Sequence, residues 1–104
     1  MSSGVVHSKG LEPIDFVFSN EMTLRITVKE VKGESSAIDL VPEGNLLTMN
    51  FINPHSQLHF GPADPIQVGS YLGRELFIQI RINTFGTFVS YGVEYTFYQG
   101  AKIG

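Results

Sequence analysis

The chain of 104 residues contains no cysteine. That absence removes disulfides, thiolate metal ligands and a cysteine nucleophile from consideration. Positive charge is also scarce: seven lysines and arginines stand against ten acidic residues, for a formal net charge of −3. The cations are dispersed, at Lys9, Arg25, Lys29, Lys32, Arg74, Arg81 and Lys102. Binding a nucleic-acid backbone draws on a concentrated basic footprint, so a nucleic-acid partner is not expected. Long apolar runs are missing too. None approaches the roughly 20 residues of a membrane-spanning helix, and MSSGVVHSKGLEP has no apolar core of signal-peptide type. The expectation is a cytoplasmic setting away from the membrane.

Helical periodicity is the next absence. No stretch repeats apolar residues at helical spacing over three turns, and 11 glycines and 5 prolines interrupt the chain. Alternation of apolar and polar residues takes its place, the mark of half-buried strands. MTLRITVKE is the cleanest case, with Met22, Leu24, Ile26 and Val28 on one side and Thr23, Arg25, Thr27 and Lys29 on the other. IDFVF precedes it across the short link Asn20-Glu21, which predicts a hairpin. ELFIQIRIN turns Leu76, Ile78, Ile80 and Ile82 inward and Phe77, Gln79, Arg81 and Asn83 outward. FVSYGVEYTFYQG sets Val89, Tyr91, Val93, Tyr95 and Phe97 on one face, with Phe88, Ser90, Gly92, Glu94, Thr96 and Tyr98 opposite. Gly92 suggests a bulge or a close backbone approach. Shorter strands are expected near Val5, over SAIDLVP ending before Pro42, over LLTMNFIN and over IQV. GSYLGRE reads as a turn or a wide connection and residues 100–104 as a loose tail.

The pattern predicts one all-β domain spanning residues 1–104, a small antiparallel β-sandwich of two sheets with immunoglobulin-like dimensions and an open strand order. A chain of this mass buries roughly 65% of its unfolded surface, enough for a core without staples.

Catalytic signatures are thin. His55 and His59 lie four apart in NFINPHSQLHFGPADP, but Pro54 and the flanking turns break the regular geometry that would let them share an ion. A zinc site needs at least three protein ligands, and His7, Asp64 or Glu75 would have to converge through the fold. No serine sits in a GxSxG elbow. Gly69 and Gly73 lack the Gly-Lys-Ser/Thr ending of a phosphate loop. Asp15 and Glu94 read as partners of Arg25 and Arg81 on a sheet face. No catalytic, metal or cofactor residue is therefore assigned, and the protein is not expected to be an enzyme.

The outward aromatics carry more weight. Phe77 and Tyr98 are the expected anchors of an interaction surface, with Arg81, Gln79 and Asn83 beside them. Loops 53–65 and 69–75 are alternative contact surfaces. The expected role is a non-catalytic protein-interaction or accessory module that self-associates, most simply as a homodimer, through a sheet face or edge. A small-ligand or carbohydrate-binding module is the first alternative. A small metal-dependent hydrolase using the loop histidines is the second.

Overall fold

The computed structural model describes residues 3–19, 22–31, 35–53, 59–61, 64–85 and 89–103, with the backbone alone at 53, 59, 60 and 85. The described residues form nine strands: β1 Ser3–His7, β2 Ile14–Ser19, β3 Met22–Glu30, β4 Ala37–Glu43, β5 Leu46–Asn53, β6 His59–Phe60, β7 Ile66–Tyr71, β8 Arg74–Phe85 and β9 Ser90–Lys102. They make a two-sheet sandwich. One sheet has five strands, with β1, β9 and β8 side by side and both β6 and β7 along the far edge of β8. The other has four, ordered β2-β3-β5-β4.

The expected all-antiparallel sandwich needs correction here. β3 and β5 run parallel over eight pairs, from Thr23↔Leu46 to Glu30↔Asn53. The chain leaves β3, lays β4 on the outside of β5, and turns back through Gly44 at φ 61°. That route places β5 beside β3 in the same direction. The hairpin of β2 and β3 forms as the short link predicts.

Alternation decides which side chains meet between the sheets. Leu24, Ile26, Val28, Met49 and Phe51 face inward from the four-stranded sheet. Val68, Leu76, Ile78, Ile80, Ile82, Tyr91, Val93 and Phe97 meet them from the other. At one margin β2 is joined to β9 by rings: Phe16 lies 4.8 Å from Tyr95, and Phe18 lies 5.0 Å from Phe97, both edge-on. Such pairs add to the area they bury. Gly4 makes room for this cluster, since a Cβ there would stand 3.0 Å from the Tyr95 hydroxyl oxygen. Tyr91 is fully buried, and its hydroxyl donates to the carbonyl of Glu12 at 2.5 Å. Burial, helped by the nearby Asp15 charge, pushes this phenol up to about 12, so it remains a donor at neutral pH.

Local expectations are also refined. β4 passes through Pro42 instead of ending before it, which an edge strand tolerates because the missing N–H is not needed on its open side. Residues 100–102 continue β9, with Lys102 paired to Arg74, and the Ile103 amide donates to the Gly73 carbonyl at 2.8 Å. Gly92 sits in an unbroken ladder, and the bulge in this pair lies at its other end, between Arg74 and Leu76. Of the two readings of GSYLGRE, the turn is the one found: β7 and β8 are linked by the two residues Leu72 and Gly73, both at positive φ, as in tight type I′ hairpins. Val89 precedes β9 and is 59% exposed.

Candidate functional site

β8 and β9 are the longest strands, and their register places the outward residues in rows. Phe77 pairs with Tyr98, Gln79 with Thr96, Arg81 with Glu94 and Asn83 with Gly92. β1 extends three of these rows, through Ser3, Val5 and His7 opposite Thr96, Glu94 and Gly92. Directly paired residues in an antiparallel ladder share a face. All five candidate residues, Phe77, Gln79, Arg81, Asn83 and Tyr98, therefore stand on the outer face of the five-stranded sheet.

Their environments differ. Tyr98 is 43% exposed, and its hydroxyl donates to Gln79 Oε1 at 3.2 Å. Asn83 Nδ2 donates to Glu94 Oε2 at 3.2 Å. Arg81 Nε approaches the same carboxylate oxygen only to 3.8 Å, with both side chains 46% exposed. This is an ion pair without a good hydrogen bond between its members. Phe77 is half-buried, because its ring lies over Gly100: a Cβ on Gly100 would be 2.7 Å from Phe77 Cε1. Phe77 is thus occupied in covering its own sheet, and the expected pair of free aromatic anchors reduces to Tyr98. The signal for this was Gly100 two residues beyond Tyr98, on the same side of the strand.

Between β1, β9 and β8 the face dips into a shallow depression of about 390 Å³. Ser3, Val5, Gln79, Arg81, Glu94 and Thr96 line it. Val5, which sequence reasoning did not single out, is 54% exposed at its rim. The lining offers donors and acceptors in rows.

The histidine hypothesis fares differently. His55 lies outside the described residues, as does most of the candidate contact loop 53–65. The backbone of His59 pairs with Asn83, whereas Glu75 pairs with Ser70 at the opposite end of β8. Eight residues of strand separate Asn83 from Glu75, roughly 26 Å, so Glu75 does not converge with His59. His7 and His59 occupy one row, but two strands lie between them and put their backbones about 14 Å apart. Among the described residues no group of three His, Cys, Asp or Glu side chains is placed to hold a metal ion. Phe88 also lies outside the described residues. Among those described, no helix is long and apolar enough to cross a membrane.

The outer face of the other sheet is more tightly closed on itself. Arg25 grips Asp15 with two hydrogen bonds, Nε to Oδ1 at 2.8 Å and Nη2 to Oδ2 at 3.0 Å. The hydrogen bond from Arg25 holds the Asp15 carboxyl below its usual value, against a smaller opposing effect of burial. Thr27 donates its hydroxyl proton to Asn50 Oδ1.

An all-β sandwich of two sheets is an architecture that hosts many unrelated functions, and by itself it names no particular chemistry. The chain belongs to the family DUF6864, a domain of unknown function, which matches residues 1–100. No curated protein and no solved structure matches it.

Proposed function

We propose that this protein is a non-catalytic protein-interaction module that associates with a second copy of itself through the five-stranded sheet. The observation that carries the reading is the convergence of Gln79, Arg81, Asn83 and Tyr98 on one face, beside the exposed Val5. The loose Arg81–Glu94 pair supports it. Charges held at 3.8 Å and half open to water can exchange partners across an interface at little cost. Tyr98 supplies a stiff, amphipathic ring of the kind enriched where proteins meet. The setting that goes with this reading is cytoplasmic.

Absolute mass in solution, measured by light scattering over a concentration series, tests the reading. The expected result is twice the chain mass at high concentration, falling on dilution. A single-chain mass throughout would overturn self-association.

The depression favours a second reading, a small-ligand or carbohydrate-binding module. Tyr98, Gln79 and Asn83 share the face, and Gln79 lines about 390 Å³ of concave space. Calorimetric titration with neutral oligosaccharides tests it: saturable heat that disappears in Gln79→Ala would favour this reading over the first.

A further inference from the structure

Among the described residues, five strand segments lie at the margins of the two sheets, and four of them carry a device that discourages further pairing. β4 has Pro42 and the exposed carboxylates of Asp39 and Glu43. β2 has a register break between Val17 and Ser19 and a charge at Asp15. β7 has a break between Gln67 and Gly69, and β6 spans two residues. β1, with the sequence SGVVH, has no proline, no lysine, no carboxylate and no break in its five-pair ladder.

The direction of its amides follows from one bond. The Ser8 amide donates across to the Tyr91 carbonyl at 2.8 Å, so Ser8 turns its backbone toward β9. Backbone groups alternate along an extended chain. Gly4 and Val6 therefore also turn toward β9, and the N–H and C=O of Val5 point to the open side of the sheet.

We infer that two copies of the chain join edge to edge, β1 against β1 in antiparallel register centred on Val5. The inference deepens the self-association reading, on which it rests, by naming the contact. A twofold axis through the Val5 pair lets each Val5 amide donate to the partner's Val5 carbonyl. The arrangement is isologous and closes at two. It also meets no like-charge clash, because β1 carries no lysine, arginine or carboxylate. The same operation on β4 about Val41 would set Asp39 against the partner's Glu43. The product is one continuous sheet of ten strands. Ser3 and Val5 line the depression on the outer face, so two depressions would flank the seam and form a single bivalent surface.

Val5→Pro provides the decisive test. It removes an N–H that β9 does not use, so an edge strand tolerates it in the monomer. Across the twofold it removes two hydrogen bonds, which raises the dimer dissociation constant by roughly thirtyfold. As the chain has no native cysteine, a single Val5→Cys variant treated with a short thiol-specific cross-linker should give a covalent dimer. Val17→Cys, on an edge strand of the other sheet, should not. A dimer that resists Val5→Pro, gives no cross-link from Val5→Cys and dissociates in Tyr98→Asp would overturn the edge contact and leave self-association standing. Monomeric wild-type protein at every concentration would overturn both. If Val5→Pro fails to fold, the cross-linking pair decides alone.

Discussion

Each sheet turns one face to water, and each face carries an arginine opposite a carboxylate on the neighbouring strand. On the four-stranded sheet Arg25 and Asp15 meet in a two-pronged grip at 2.8 and 3.0 Å. On the five-stranded sheet Arg81 stands off from Glu94 at 3.8 Å, and Asn83 takes part of that carboxylate's capacity. The residue types are the same, yet one pair is satisfied within the chain and the other is left open. Exposure alone would not have separated them, since Val17 on the closed face is 72% exposed and Val5 on the open face 54%. What separates the faces is how closely their arginine–carboxylate pairs are held, and whether the strand at the margin is protected.

The strongest way to disturb this contrast is at Gly100, where the open face is closed over by Phe77. In Gly100→Ala the new methyl carbon would lie 2.7 Å from the ring and 3.4 Å from Glu75 Cβ. The ring has to leave. We expect a loss of about 1–3 kcal/mol, read from the urea midpoint, together with a more exposed Phe77. A loss under about 0.5 kcal/mol would show that the ring swings away freely. Phe77 would then count as an available anchor after all.

Much of this was legible in the sequence because alternation is a local signal. MTLRITVKE and ELFIQIRIN announce their buried sides without reference to any other strand, and Leu24, Ile26, Leu76, Ile78, Ile80 and Ile82 are all buried. Because β8 and β9 pair in an unslipped ladder from Leu76 to Phe85, the outward residues of each fall on one common face. The parallel pairing of β3 with β5 is another matter. It depends on where the chain lands after β4, and nothing within LLTMNFIN distinguishes a parallel neighbour from an antiparallel one. The role of Phe77 was hidden for a related reason. Its neighbour Gly100 belongs to a stretch that reads as a loose tail, and only the register of β9 brings the two together. Pro42 misled in the opposite direction, because a proline ends a central strand but is admitted on an edge.

A smaller effect should distinguish the two ion pairs. Double-mutant cycles on Asp15/Arg25 and on Arg81/Glu94, measured on the monomer, should give a clear coupling for the first and almost none for the second. Acid sharpens the test. The folded-state pKa of Asp15 lies below its ordinary value of 3.8. The pair's contribution is therefore present above that value and fades as pH falls through the lower folded-state pKa. Asp15→Asn should make the decline in stability below pH 3.8 shallower. An unchanged acid limb would show that the two-pronged grip does not persist in solution.

The smallest expected effect compares two exposed valines. In the edge-joined dimer Val5 faces its twin across the seam, whereas Val17 faces water. A cross-strand aliphatic pair is worth roughly 0.2–1 kcal/mol. Val5→Thr should therefore weaken dimerisation by at most about fivefold. Val17→Thr should leave both dimerisation and monomer stability unchanged to within about 0.5 kcal/mol. The size of the difference matters as much as its sign. If Val5→Thr abolished the dimer outright, side-chain packing and not backbone pairing would hold the seam. An effect at Val17 equal to that at Val5 would mean that both sheets meet a partner, and the distinction between an open and a closed face would fail.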